Sequence, residues 1–255
     1  AMYDIFAQHY DDLMDDVDYA PWARYLLGLM TAELGPFRHE SPWRILDGAC
    51  GTGNLSIPLA VAGCKVTGAD ISESMLAVAQ QKARRAGKSI PFVRQALQEL
   101  AMPRNMDCIT CACDGVNYLT KEEDLAAFLH SAYANLRPEG VLLFDISSPY
   151  KLRERLDGRC FGEDRENLAY LWQNAMDEEK GLLQMDLTLF VKMDHKNAFV
   201  RHRETHFQRP YAVEQVLTAM AAAGFSQGRA YGFMTVEAPK EKDERIQFVA
   251  QKASI

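Results

Sequence analysis

Nowhere in the 255-residue chain do 18 apolar residues run together, so the sequence offers no membrane-spanning helix. Positive charge is also scarce. Lys and Arg number 28 against 35 Asp and Glu, a formal net charge of −7. That balance gives no general attraction to phosphate backbones or anionic lipid, which disfavours nucleic acid as a partner. The opening segment AMYDIFAQHYDDLMDD lacks the basic stretch and apolar core of a secretion signal. Six cysteines at irregular spacing lack the pattern of a disulfide framework and read as reduced thiols, as in the cytoplasm. Internal repeats, low-complexity tracts and flexible linkers are missing as well. What remains is 48% hydrophobic and 25% charged, the make-up of an ordinary soluble globular protein long enough to bury a sizeable core.

Strand and helix patterns alternate from Trp43 onward. WRILD, CKVTGAD, IPFVRQ, the run Asp107 to Cys113 and VLLFD read as five strands. Between them lie helical segments, one closed by Gly63 and one from Ser74 to Ala86 stopped at Gly87. In EEDLAAFLHSAYANL the residues Leu125, Phe128, Leu129, Ala132 and Leu136 form one helical face, ended by RPEG. Such alternation predicts an α/β fold, a doubly wound and mostly parallel sheet covered on both faces. Beyond Pro149 the period changes to two. Leu183, Met185, Leu187, Leu189, Val191 and Met193 alternate with Gln184, Asp186, Thr188 and Lys192, the mark of a half-buried antiparallel strand. Turn signals DEEKG and DHKN flank it, which predicts a meander over about 168–208. A helical pattern then returns at Val213, and ERIQFVAQK supplies a last strand.

Three cysteines crowd DCITCACDG, and Cys108 with Cys111 makes a C-x-x-C pair. Side chains alternate along a strand, so these two point to opposite faces and share neither a disulfide nor a metal. Cys111 and Cys113 share a face, but no second ligand pair at zinc spacing exists elsewhere. The thiols therefore read as small buried hydrophobes, with Cys113 ending strand four.

Strand one runs straight into LDGACGTGN, and a helix follows. Glycines at such a turn let a ligand approach the backbone and meet helix N-terminal N–H groups. Asp70 closes strand two, where a carboxylate can accept hydrogen bonds from both hydroxyls of a ribose. LDGACGTG followed by GADISESMLAVAQ resembles the first two motifs of class I S-adenosylmethionine-dependent methyltransferases. The N-terminal YDDLMDDVDYAPWARYL, the DGVNYL after strand four and FDISSPYKL after strand five are similar to small bacterial methyltransferases of unassigned substrate. The meander resembles the lid of small-molecule N-methyltransferases. The resemblance implies a seven-stranded Rossmann-like sheet with an inserted antiparallel lid. It implies that Asp47 and the loop Gly48, Ala49, Gly51 and Gly53 hold the amino-acid part of S-adenosylmethionine. Asp70 would bind the ribose, with Ile71 and Met75 flanking the adenine and Ala96, Leu97 and Cys113 nearby. Tyr10 and Tyr19 would close over the cofactor. Ala49 stands where relatives most often have glycine, and Ala96 where they usually carry an acid, which removes one polar contact near the adenine.

A dinucleotide site would share Asp70 and the glycine turn. The glycines here read G-x-x-G-x-G, a spacing similar to that of short-chain dehydrogenases, yet no tyrosine is followed four residues later by the lysine those enzymes need. Asp114, Asn117 and Tyr118 after strand four, and Asp145, Ser147 and Tyr150 after strand five, fall at the carboxyl edge where ligands bind in such sheets. Asn117, Tyr118 and Tyr150 are accordingly candidates to contact a small-molecule acceptor. Equally, Asp114 and Asn117 can cap the next turn. In RHRETHFQR the residues His202, Glu204 and His206 alternate onto one face, which reads first as a solvated sheet face. Asp114 and His206 are the candidate general bases for an amine or hydroxyl acceptor, and no metal is expected. Lys192, Lys196, Arg201, Arg203 and Arg209 make this segment locally basic. RNA or protein methylation therefore stays open, as do a non-catalytic cofactor-binding regulator and a homodimer. The expected division is a cofactor unit over 1–149 and 209–255, with an acceptor lid over 150–208.

Overall fold

The computed structural model describes residues 2–193 and 197–254. Two helices, α1 (Met2–Leu13) and α2 (Tyr19–Leu34), precede an alternating run. It comprises β1 (Arg44–Gly48), α3 (Ser56–Val61), β2 (Lys65–Asp70), α4 (Glu73–Arg85), β3 (Phe92–Arg94), β4 (Met106–Cys111), α5 (Glu122–Asn135) and β5 (Leu136–Ser147). Four antiparallel strands follow: β6 (Cys160–Asp164), β7 (Leu168–Asp177), β8 (Leu182–Lys192) and β9 (Phe199–Gln208). The chain then returns through α6 (Val213–Ala222), β10 (Arg229–Gly232) and β11 (Arg245–Gln251).

The main sheet has seven strands in the order β10-β11-β5-β4-β1-β2-β3. β11 is antiparallel to both β10 and β5, and the other pairs are parallel. Each face of this sheet is covered, as unbroken apolar strands require. Leu46, Ile109, Cys111, Leu142 and Phe144 pack under α5 and α6 on one side. Ile45, Val66, Cys108, Val141 and Leu143 pack under α2 and α3 on the other. Cys108 and Cys111 thus lie in different cores, as the alternation requires, and both are free thiols. Cys113 corrects the expectation: β4 ends at Cys111, and Cys113 lies beyond it with φ at 61°, so it shares no strand face with Cys111.

Two other expectations change. RPEG does not simply end a helix before a strand. β5 begins at Leu136, directly after α5, and residues 137–140 are looped out as a bulge between the Met106–Leu136 and Cys108–Val141 pairs. The antiparallel sheet has four strands, and the first of them, β6, lies before the meander expected from about Leu168. β6 escapes detection because CFGED is exposed along its whole length and carries no alternation. The DHKN turn and Lys196 fall partly or wholly outside the described residues.

The alternation in β8 is confirmed: Leu183, Met185, Leu187 and Leu189 are buried. Their face seats two elements. Leu183 and Met185 pack on Leu152, in a π-helical turn over Lys151–Leu156, while Leu187 and Leu189 pack on Phe6 and Leu13 of α1. The second sheet is therefore fastened across α1, at the carboxyl edge of the first.

If the thiols only fill space, Cys108→Ala and Cys111→Ala should each lose about 1 kcal/mol in urea unfolding, with the fold retained. A loss of stoichiometric zinc accompanying either change would contradict this account.

Candidate functional site

The carboxyl edges of β1, β2 and β4 open into a cavity of about 520 Å³. Its floor is built by two backbone turns that touch. The first is the glycine loop after β1. Gly48 lets Leu97 pack close, since a Cβ there would lie 2.7 Å from Leu97 Cδ2 and push that side chain aside. Gly53 takes φ of 79°, a left-handed conformation that glycine adopts without strain. Ala49, with φ of 51°, takes a similar conformation and carries the cost of a Cβ.

The second turn follows β4. Cys113 and Asp114 are consecutive left-handed residues, with φ of 61° and 56°. Neither is glycine, so each costs about 1–2 kcal/mol. Asp145 on β5 offsets that cost, because its Oδ2 and Oδ1 accept the backbone N–H groups of Cys113 and Asp114, each at 2.9 Å. Arg245 on β11 binds the carboxylates of both Asp145 and Asp114, the latter at 2.5 Å. Its guanidinium also lies over the ring of Trp22, 5.0 Å from the centroid. Gly115 then lets the turn press against the first loop, since a Cβ there would sit 2.9 Å from Ala49 Cβ.

Charges in the floor are set by this packing. Burial works against the Asp114 carboxylate, but Arg245 and Lys151 outweigh it and hold its pKa below the usual carboxylate value. Asp145 is raised, chiefly by burial, despite Arg245. Asp47, whose oxygens accept hydrogen bonds from Ser56 Oγ at 2.5 Å and Thr110 Oγ1 at 2.8 Å, is pushed up to about 6 by burial. Burial also raises Asp70. Cys113 is pushed up to about 12, chiefly by burial, so its thiol stays protonated at neutral pH.

α1 forms the roof. Asp11 accepts hydrogen bonds from Thr52 Oγ1 at 2.7 Å and Asn54 Nδ2 at 2.9 Å, and its other oxygen pairs with Lys82 at 2.6 Å. These contacts tie α1 to the glycine loop and α4. On the far side Arg165, between β6 and β7, pairs with Asp15 at 2.9 Å.

Of the residues singled out from sequence, Tyr10, Tyr19, Asp47, Ala49, Gly51, Asp70, Ile71, Met75, Ala96, Leu97, Cys113, Asp114, Tyr118 and His206 line the cavity. Gly48 and Gly53 shape its loop without lining it. Asn117 does not line it either. Its side chain is fully buried and both its oxygen and its nitrogen are engaged, donating to the carbonyls of Ser147 and Arg209 and accepting from Ser147 N. Tyr150 opens the π-helical turn outside the cavity, while Asp145 and Ser147 lie inside β5 and not after it. The His202, Glu204 and His206 row is not a solvated face: these residues are half-buried on the inner side of β9, and Arg201 and Arg203 alternate outward. Arg209 is no surface charge, since its Nε donates to the Thr120 carbonyl at 2.6 Å. Among the described residues no three His, Cys, Asp or Glu side chains group to hold a metal, and no helix is long and apolar enough to cross a membrane.

Phe6, Trp172, Met185 and Leu187 also line the cavity, and sequence reasoning did not place them there. The period of two in β8 marked Met185 and Leu187 as facing something. Arg245 gave no signal, since its partner Asp145 is 100 residues away.

A family model described as a methyltransferase domain matches residues 45–140. Over 250 residues, 98% of this chain and 99% of the relative, the chain is 36% identical to a protein named as a methyltransferase in Geobacillus sp. (strain WCH70). The crystal structure of an S-adenosylmethionine-dependent methyltransferase from Clostridium acetobutylicum ATCC 824 matches with a TM-score of 0.85 and 27% identity, covering 100% of both chains. The chain belongs to the class I S-adenosylmethionine-dependent methyltransferases. The sugar N-methyltransferase KedS8 from Streptoalloteichus sp ATCC 53650 shares the fold, with a TM-score of 0.78 at 18% identity over 100% of this chain and 94% of its own.

Within this methyltransferase the Arg245 cluster is sensitive to substitution because its charges are largely out of water. Arg245→Ala leaves the buried Asp145 carboxylate without a counter-charge and Asp114 with Lys151 alone, so about 3–5 kcal/mol of stability should be lost at neutral pH. Without the guanidinium both carboxyl pKa values rise, so protonation rescues the variant: its deficit should shrink as pH falls through the acidic range. Denaturant unfolding of both proteins across that range checks this, and a deficit independent of pH would refute the charge argument.

Proposed function

We propose that this methyltransferase transfers the methyl group of S-adenosylmethionine to an amine or hydroxyl of a small-molecule acceptor. The observation that carries the reading is the shared cavity. Residues of the glycine loop and β2 line one part of it, and Trp172, Met185, Leu187 and His206 of the second sheet line another. Its volume of about 520 Å³ lies in the range of small-molecule sites. We assign 1–149 and 209–255 to holding the cofactor and 150–208 to covering the acceptor.

The residues present fit the cofactor. Asp70 is oriented by backbone N–H groups, with Oδ2 accepting from Gly51 and Oδ1 from Ser72, both at 2.9 Å. Each oxygen keeps lone-pair capacity for a ribose hydroxyl. Ile71, 66% exposed, stands with Met75 and Leu97 as an apolar slot for the adenine. Tyr19 lines the cavity with a buried hydroxyl near Asn54, suited to the amino-acid end. Bound S-adenosylmethionine supplies an electrophilic sulfonium methyl. The chain's own task is to hold the acceptor in line with it and to exclude water. Asp47, Asp70 and Asp114 line the cavity and no Lys or Arg among the described residues does, a lining favourable to a cationic donor and to an amine. Asp114 is held ionised by Arg245, which makes it a poor proton acceptor.

His206 is better placed as the base. Its Nε2 lies 3.0 Å from Glu204 Oε2, and its ring sits against Phe6 and Tyr118. Glu204 fixes the ring, and Nδ1 remains to take the acceptor's proton. The outward direction of Arg201 and Arg203 favours this reading over RNA or protein methylation, because the basic face does not lead into the cavity. Family membership weighs against a regulator without chemistry. Six free thiols suit a reducing compartment such as the cytoplasm.

Asp70→Ala deletes a charged hydrogen-bond acceptor worth roughly 1.5–3 kcal/mol, so affinity for S-adenosylhomocysteine should fall about tenfold to a hundredfold by calorimetry. Unchanged affinity would remove Asp70 from the cofactor site. His206→Gln should keep that affinity and slow methylation by about 10²–10⁴ in a metabolite-extract assay with labelled methyl donor. Full turnover in the variant would rule out His206 as the base.

A further inference from the structure

At the amino edge of the main sheet, opposite the cofactor side, a second cavity of about 360 Å³ opens between the starts of β1 and β2 and the segment entering β3. Arg44, Lys65 and Lys88 line it, with the hydroxyls of Thr67 and Ser89. No carboxylate does. In a chain of net charge −7, three cations around one hollow without a counter-charge is an uneven placement.

The arrangement carries a cost. Arg44 and Lys65 are directly opposite each other on the paired strands β1 and β2. Like charges so placed repel and destabilise a sheet. None of the three cations forms an ion pair among the described residues. The neighbouring acid, Asp107, is already committed. It accepts the backbone N–H of Arg44 at 2.7 Å through Oδ2 and pairs with Arg137 at 2.6 Å through Oδ1. Arg44 Nε is buried and has no hydrogen-bond partner among the described residues. A buried donor left unmade is itself unfavourable, and an anion in the hollow would relieve both penalties.

We propose that this hollow binds a compact anion of the phosphate class, such as a phosphorylated small molecule. A guanidinium presents a planar fork to two phosphate oxygens, and the ammonium groups add point charges at its rim. The two hydroxyls complete the shell. The volume admits a small ligand. β2 is six residues long, so this site lies roughly 20 Å from the cofactor edge and is separate from methyl transfer. Its occupant is therefore distinct from the methyl acceptor.

Calorimetry of the full chain with inorganic pyrophosphate tests this. Saturable binding at about one site per chain is expected, weakened about tenfold or more by Arg44→Gln or Lys88→Gln. Affinity for S-adenosylhomocysteine, unchanged in both variants, confirms that they fold. Lys65→Gln, at an exposed position, should weaken pyrophosphate in the same direction and serves if Arg44→Gln misfolds. Absence of saturable binding at millimolar pyrophosphate overturns the proposal, and so does an affinity that none of the three variants alters.

Discussion

The contact of Arg245 with Asp145 and Asp114 is the constraint from which the rest of the cavity floor follows. Two left-handed non-glycine residues in succession would not persist on their own. Asp145 holds them by taking both of their N–H groups, and it stays in place because Arg245 answers its charge. Arg245 reaches Asp145 diagonally, since β11 pairs Arg245 with Ser147 and Gln247 with Asp145. The antiparallel insertion of β11 beside β5 is thus what brings a guanidinium under the turn. Gly115 can then lie against Ala49, and the two loops that frame the cavity become one surface.

The roof depends on a second set of charges. Lys82, Asp11, Thr52 and Asn54 join α1 to the cofactor side, while Phe6 and Leu13 of the same helix pack on the apolar face of the second sheet. α1 therefore serves both halves of the cavity. A displacement of that helix opens both halves of the cavity together.

Much of this was readable in advance, and the failures are informative. The alternation of apolar runs gave the parallel strands, and the glycine loop with Asp70 gave the family, because both signals are local. Period two in β8 was equally plain, since one face is buried. β6 was missed because an exposed strand needs no pattern. RPEG misled because a bulge can absorb proline and glycine inside a strand. The H-x-E-x-H row was assigned to solvent because sequence cannot say which face of an inserted sheet turns inward. Asn117 had the polarity of a ligand contact, yet its three hydrogen bonds serve the backbone of β5 and the segment after β9. Arg245 was invisible for another reason: its partners are distant in the chain, and only the sheet order makes them neighbours.

That distance has a consequence for how the protein is made. Chains emerge from the ribosome N-terminus first, and domains form as their parts arrive. Asp114 and Asp145 are synthesised long before Arg245, which follows Asp145 by 100 residues. During that interval β1 to β5 can pair and Asp145 can take the N–H groups of the turn after β4, but the guanidinium that binds both carboxylates is still missing. The second sheet is made within the same interval. Completion of the methyl-transfer pocket is therefore a late event in biosynthesis, timed by the arrival of β11, and the nascent enzyme is unfinished at its centre until then.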